Sequence, residues 1–129
     1  MSASPEGAAI AADRASSPVN ALTAAQRGAR ALAGDPVRVA IVGATGYVGA
    51  ELVRLLVHHP YVRIAGLVGR ERKGDPIAHI HPHLATRDLK VYDHVPDDAE
   101  VVFLALPHGV AAARAEEYLA NGQTVIDMG

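Results

Sequence analysis

Cysteine and tryptophan are both absent from the 129 residues. Without cysteine there is no disulfide framework, no thiolate metal site and no thiol nucleophile within these residues. Long apolar runs are missing too: none approaches the roughly 20 residues that a membrane-spanning helix requires. The formal net charge is only −2, so nothing in the charge balance favours nucleic acid or an anionic membrane as a partner.

Aromatic and β-branched residues are almost missing from residues 1–35, which are rich in Ala, Ser, Pro and Gly. Such a segment buries little, so we expect an extension that is disordered apart from one marginal helix. Thr23 and Gln26 have capping-box spacing for that helix, and Gly34 is placed to end it. An organellar transit peptide is an alternative, although early acidic residues count against it. The predicted domain covers residues 36–129.

The domain alternates apolar segments with segments of helical spacing. The apolar segments predict five strands, at 37–43, 61–69, 89–93, 100–107 and 124–128. Helical spacing predicts one inward face with Val48, Leu52, Leu55 and Leu56, and a second with Val110, Ala111, Ala115, Tyr118 and Leu119. This order predicts an α/β fold with a doubly wound, Rossmann-like parallel sheet. Because the sequence stops at its fifth strand, we expect an incomplete N-terminal domain of a longer protein.

Three glycines lie three residues apart in "AIVGATGYVGAELV" (40–53), where the first strand gives way to a helix. Gly43 permits a tight turn, Gly46 lets a ligand approach the backbone, and Gly49 lets the helix pack near the strand. The amides of Gly46, Tyr47 and Val48 are then predicted to be free at the positive end of the helix, which suits a diphosphate. Thr45 adds a hydroxyl. The alternative is a strand–helix turn without a ligand, since glycine spacing alone is weak evidence.

The end of the second strand distinguishes NAD from NADP. An acidic residue there binds the ribose 2′-hydroxyl of NAD, whereas arginine accommodates the 2′-phosphate of NADP. This chain continues as "GRERKGD" (69–75), in which Arg70 offers a guanidinium fork. We therefore predict NADP as the cofactor. The alternative is a solvated charged loop, which is our interpretation of Arg72 and Lys73 in either case.

Two further segments, "HPHL" (81–84) and "FLALPHGV" (103–110), complete a family pattern. From about Val37 to Gly129 the chain resembles the cofactor-binding portion of N-acetyl-γ-glutamyl-phosphate reductases, in the semialdehyde dehydrogenase superfamily. The resemblance implies an NADPH-dependent step of arginine biosynthesis. In that reaction a cysteine attacks an acyl phosphate, phosphate leaves, and hydride reduces the thioester to a semialdehyde.

The resemblance also implies site residues. The turn would bind the diphosphate, Arg70 the 2′-phosphate, and Pro107 and His108 would lie along the cofactor; the turn residues are Gly43, Ala44, Thr45, Gly46, Tyr47 and Val48. Gly69 and Ala111 stand where the family often has serine. The family's nucleophile lies in a Gly-Cys-Tyr-Pro segment absent here, so we expect no catalytic residue in these residues and no activity from them alone. For the full-length protein, the resemblance implies a cytoplasmic homo-oligomer that acts on a small acyl phosphate.

The alternating His79, His81 and His83 suggest a metal site, but no carboxylate or cysteine completes a ligand set at fixed spacing. We expect a structural or cleft-lining loop and no metal. For His108, a hydrogen bond that fixes its loop is a better expectation than proton transfer.

Two other functions stay open. A related reductase of lysine biosynthesis, acting on a longer acyl phosphate on a carrier protein, would share every residue used so far. A non-catalytic NADP-binding sensor module would use the same turn. A Gly-Cys-Tyr-Pro segment in the coding sequence beyond Gly129 would favour an enzyme, and a stop codon would favour the module.

Overall fold

The structure is a computed structural model that describes residues 22–70, 73–84, 89–107 and 109–129. Its described strands are β1 (Val37–Val42), β2 (Val62–Val68), β3 (Val91–Tyr92), β4 (Val101–Leu104) and β5 (Thr124–Asp127). Its described helices are α1 (Ala24–Leu32), α2 (Tyr47–Leu56), α3 (Ile77–Ile80) and α4 (Val110–Ala120). None of the helices in this part of the chain is long and apolar enough to cross a membrane.

All five strands are parallel and lie in the order β3-β2-β1-β4-β5. The chain builds outward from β1 in one direction, then crosses back to place β4 on its other side. This arrangement confirms the doubly wound, Rossmann-like sheet predicted from the apolar segments. The reversal of strand order opens a crevice between the carboxyl ends of β1 and β4, which is where such sheets bind ligands.

Helices cover both faces of the sheet. Successive residues of β1 point to opposite faces, so Ile41 enters a core cluster with α2 and α3 while Val42 enters one with α4. Both side chains are almost fully buried. A strand buried on both faces has to be apolar throughout, which explains the continuous apolar run that marked β1 in the sequence.

The predicted inward faces of the two long helices were partly wrong. In α2, Val48 and Leu55 are exposed, while Gly49 and Val53 join Leu52 on the buried face. The cause is the close contact that α2 makes with the turn at Gly49, because this contact rotates the buried face toward Gly49 and Val53.

In α4 the buried residues are Ala111 and Tyr118, and Ala115 packs beside them. Val110 and Leu119, which were predicted to face inward, are exposed. Val110 lies at the helix start, beside the crevice rather than under the sheet. Small alanines bring the middle of α4 close to the sheet and leave its flanks open.

The predicted capping box of α1 is present. The backbone amide of Gln26 donates to Thr23 Oγ1 at 3.1 Å, and the backbone amide of Thr23 donates to Gln26 Oε1 at 2.8 Å. Gly34 follows the helix with a φ of +103°. The earlier part of the extension, residues 1–21, lies outside the described residues.

Charged side chains attach α1 to the amino ends of the strands. Arg27 donates to Thr124 Oγ1 at 2.7 Å, and Arg30 pairs with the carboxylate of Glu100. Glu100 is completely buried, and its Oε2 accepts the backbone amide of Arg38 at 3.1 Å. The same oxygen forms an ion pair with Arg38 Nη2 at 3.3 Å. Helix α1 therefore covers the amino ends of the strands, at the end of the sheet opposite the crevice.

Candidate dinucleotide-binding site

The turn between β1 and α2 requires glycine at Gly43. Its φ is +89°, a conformation that side chains rarely adopt, and a Cβ there would lie 2.2 Å from the carbonyl oxygen of Ala105. The amides of Gly43 and Ala44 donate to the carbonyl of Val68, at 2.8 and 3.1 Å. The turn is thus held between the ends of β2 and β4, as a tight turn at this position requires.

Gly49 lets the first turn of α2 lie directly on the loop. A Cβ at Gly49 would come within 2.3 Å of the Gly43 oxygen and 2.7 Å of the Ala44 Cα. No side chain fits in that space, so the amino end of α2 is fixed at the mouth of the crevice. The close helix–strand packing predicted for Gly49 is therefore confirmed.

The amides at the start of α2 differ from the prediction in one respect. The Gly46 amide is not free, because it donates to Gly43 O at 3.1 Å within the turn. A tight turn uses that donor to close itself. No group in the part of the chain that the structure describes accepts a hydrogen bond from the amides of Tyr47 or Val48. The amides of Tyr47 and Val48 are therefore available donors at the positive end of α2.

A cleft of about 770 Å³ lies over the carboxyl ends of β1, β2 and β4. Gly43, Thr45 and Gly46 line one side, and Arg70 lies at the end of β2. The Arg70 side chain is exposed, and no described carboxylate pairs with its guanidinium. A positive charge without a partner at the rim of a cleft is available to an anionic ligand.

The remaining predicted residues are placed differently. Ala44 is fully buried behind the turn, and Tyr47 is 90% exposed, so its ring does not line the cleft. Val48 is half exposed at the same helix end. Pro107 is exposed and its carbonyl accepts the Ala111 amide at 3.2 Å, which starts α4. His108 lies outside the described residues.

Two charged residues of the cleft were missed by sequence reasoning. Asp93 follows β3, and its carboxylate bonds to His94 at 3.0 Å and to Lys73 at 2.9 Å. These bonds, His94 first, lower the pKa of Asp93 from 3.8 to about 2. Its position just after a strand was the available signal, since carboxyl ends of parallel strands meet at one edge. Lys73 is thus paired and not simply solvated.

Arg114 is the second missed residue, and it reaches the cleft from the second turn of α4. Its Nη2 donates to the hydroxyl of Tyr118 at 2.6 Å, and its guanidinium lies 5.7 Å from that ring. An i, i+4 spacing brings the two side chains together on one helix face. Nothing in the local pattern distinguished Arg114 from an ordinary solvated arginine.

Of the three alternating histidines, His81 contacts the turn. Its Nε2 lies 2.8 Å from the carbonyl oxygen of Thr45, and its ring meets that of His83 edge-on at 5.8 Å. His79 is exposed. Among the described residues, no group of three His, Cys, Asp or Glu side chains is placed to hold a metal ion.

These features define a class of protein. The parallel doubly wound sheet and the glycine turn that leaves no room for side chains fit a dinucleotide with its linked phosphates. So do Arg70 and the amides at the start of α2, which have no partner among the described residues. The fold is that of NAD(P)-binding domains. Residues 38–129 match the family described as "Semialdehyde dehydrogenase, NAD binding domain", and the chain belongs to this family.

Curated relatives carry two kinds of name. An N-acetyl-gamma-glutamyl-phosphate reductase from Heliobacterium modesticaldum is 48% identical over 98 residues, covering 72% of this chain and 28% of the relative. A [LysW]-L-2-aminoadipate/[LysW]-L-glutamate phosphate reductase from Saccharolobus solfataricus is 43% identical over 99 residues, covering 73% of this chain and 28% of the relative. The chain therefore spans little more than a quarter of the length of these relatives, which are oxidoreductases.

A solved structure shows the same fold. Aspartate semialdehyde dehydrogenase from Candida albicans, determined with NADP, superposes with a TM-score of 0.62 at 24% identity. The match covers 72% of this chain and 29% of the other. The family description supports a nicotinamide dinucleotide as the cofactor, without distinguishing NAD from NADP.

Proposed function

We propose that this chain is the NADP(H)-binding part of an acyl-phosphate reductase. The observation that carries the choice of NADP is Arg70. It lies at the end of β2, lines the cleft, and has no partner among the described residues. That position is where arginine accommodates a 2′-phosphate and where NAD-specific sites carry an acid.

The nearby charges support the same choice. Among the described residues, Asp93 is the carboxylate that lines this part of the cleft, and it is bonded to His94 and Lys73. A carboxylate already engaged by two protein groups competes poorly for a ribose hydroxyl. The ion pair with Lys73 also offsets the negative charge of Asp93, so that less of this charge opposes Arg70.

The turn supplies the remaining contacts. The amides of Tyr47 and Val48 would donate to the diphosphate, while Gly43 and Gly49 keep side chains out of the space beside it. When bound, the cofactor supplies a hydride. The residues of this chain hold and orient it; with no cysteine, these 129 residues provide no thiol for an acyl-enzyme step, and we propose that they do not reduce an acyl phosphate by themselves.

For the whole protein we propose N-acetyl-γ-glutamyl phosphate as the substrate, in arginine biosynthesis. The support is the name and 48% identity of the Heliobacterium relative. The second candidate is the carrier-bound aminoadipyl or glutamyl phosphate of the Saccharolobus relative, at 43% identity. A cytoplasmic homo-oligomer is the setting we propose for either.

The test is a calorimetric titration of the purified chain with NADPH and with NADH. We expect NADPH to bind at least about tenfold more tightly, because charge-assisted bonds to a phosphate contribute roughly 1.5–3 kcal/mol. Arg70→Gln should remove most of that preference and leave NADH binding nearly unchanged.

Arg63→Gln is the matched control, since Arg63 is an exposed arginine toward the other end of β2. It should leave both affinities unchanged. Equal binding of the two cofactors by the wild-type chain would remove the role given to Arg70. Binding of neither would contradict the proposed function.

A further inference from the structure

The contact between His81 and the glycine turn has no place in the proposed function so far. His81 caps the carboxyl end of the short helix α3, and its side chain contacts the carbonyl of Thr45, which lies 36 positions earlier in the sequence. The Nε2–O distance of 2.8 Å is that of a good hydrogen bond. A carbonyl oxygen only accepts, so Nε2 carries the proton in this contact.

This bond acts on a single peptide group. The carbonyl of Thr45 and the amide of Gly46 belong to the same planar unit. His81 fixes the carbonyl end, and Gly43 O fixes the amide end at 3.1 Å. The plane therefore cannot rotate without breaking one of the two bonds. Its orientation determines the direction in which the chain enters α2.

His81 is itself held in place from behind. Its amide donates to Ile77 O at 2.9 Å, and its carbonyl accepts from Leu84 N at 2.8 Å. The side chains of Ile77 and Leu84 are buried in the core cluster beneath α2. The imidazole therefore extends from a fixed backbone, and it transmits that rigidity to the turn.

We propose that His81 is a positioning residue for the dinucleotide site. Its hydrogen bond to Thr45 orients the Thr45–Gly46 peptide, so that the next two amides, of Tyr47 and Val48, point at the diphosphate of the cofactor. The inference rests on the proposed function and adds a residue that touches no part of the ligand. It predicts a loss confined to ligands that carry a diphosphate.

The experiment compares His81→Leu, His81→Gln and His79→Leu with the wild-type chain. In His81→Gln the side-chain amide nitrogen would reach the position of Nε2, so this variant restores a donor, and His79 is an exposed neighbour on α3. We expect His81→Leu to weaken NADPH and NADH alike by about three- to tenfold, the usual effect of one hydrogen bond. His81→Gln should stay within about twofold of the wild-type chain, and His79→Leu should bind both dinucleotides as the wild-type chain does.

Adenosine 2′-monophosphate, followed by NMR titration, separates positioning from general damage to the domain. It offers a phosphate to Arg70 and none to the turn, so its affinity should be the same in all four proteins. Weaker binding of this probe by His81→Leu, equal NADPH binding in His81→Leu and wild type, or failure of His81→Gln to recover would each overturn the inference.

A direct reading on the wild-type chain covers the case in which His81→Leu does not fold. At pH 8, the ¹⁵N shifts of the imidazole should show Nε2 protonated and Nδ1 bare. The opposite tautomer would overturn the inference, because Nε2 would have no proton to donate. If the wild-type chain binds neither dinucleotide, the proposed function fails and takes this inference with it; if it binds them and His81→Leu binds them equally well, only this inference fails.

Discussion

The two ends of the sheet place charged groups in opposite environments, one buried and one exposed. At the amino end, Glu100 is fully buried and is held by Arg30 and Arg38, under the cover of α1. At the carboxyl end, the guanidinium of Arg70 lies at an open cleft with no described partner. At the amino end, protein groups hold Oε2 of Glu100, while its buried Oε1 has no hydrogen-bond partner among the described residues. At the carboxyl end, Arg70 and the amides at the start of α2 have no partner among the described residues, which suits an anionic ligand.

The two ends show how a charge that stabilises the fold differs from a charge that is available to a ligand. A buried carboxylate is stable only when charged donors surround it, so Glu100 serves the fold. An exposed cation gains little from the fold, so we propose that Arg70 serves the ligand that enters the cleft. Substitutions of these charged residues should therefore affect different quantities: stability for Glu100 at the amino end, and ligand affinity for Arg70 at the carboxyl end.

We expect the largest effect on stability at Gly43, in the turn that forms one side of the cleft. Gly43→Ala adds a methyl group 2.2 Å from Ala105 O at a φ of +89°. Left-handed backbone and overpacking together should lower the free energy of unfolding by about 3 kcal/mol. Urea denaturation measures it.

Gly74→Ala is the control for Gly43→Ala, because Gly74 has the same φ of +89°, and a Cβ there would meet no atom of the described residues within 4 Å apart from its chain neighbours. It should cost only about 1 kcal/mol, the backbone part alone. Equal losses in the two variants would mean that the close approach to Ala105 is not a constraint.

The next effect concerns the closed amino end. Glu100→Gln keeps the shape but leaves Arg30 and Arg38 without their carboxylate, and we expect a loss of about 2 kcal/mol in the free energy of unfolding. NADPH affinity should not change, because the cleft is at the other end of the sheet. Glu51→Gln, which breaks the exposed pair with Arg54, should have no measurable effect. A change in NADPH affinity with Glu100→Gln would break the proposed division between the two ends.

The smallest effect concerns Asp93. Its pKa is lowered to about 2. Its ion pairs therefore contribute their full stabilisation at a pH above the ordinary pKa of 3.8, and this stabilisation is lost as the pH falls through about 2. The carboxyl ¹³C shift should therefore titrate with a midpoint near 2, and His94→Asn should move the midpoint back toward 3.8. A midpoint near 3.8 in the wild-type chain would show that Asp93 is free, and hence a competitor for the ribose.

The strands, the turn and the capping box of α1 could be predicted because each depends on neighbours in sequence. Apolar runs, glycine spacing and the Thr23–Gln26 pair are local signals. The contacts of Arg30 with Glu100 and of His81 with Thr45 join residues 70 and 36 positions apart, so no local pattern contains them. The predicted inward faces of α2 and α4 were partly wrong for a related reason. Contact with the turn at Gly49 in α2, and with the sheet in α4, set the rotation of each helix, and periodicity alone did not.

Above all, we propose that the amides at the start of α2 receive the phosphates of a nicotinamide dinucleotide. An ¹⁵N–¹H NMR titration of the chain with NADPH tests it residue by residue. The account predicts that the amides of Tyr47 and Val48 shift most, while those of Ala44 and Gly46, already bonded within the protein, shift less. Unchanged Tyr47 and Val48 signals at saturating NADPH would contradict it.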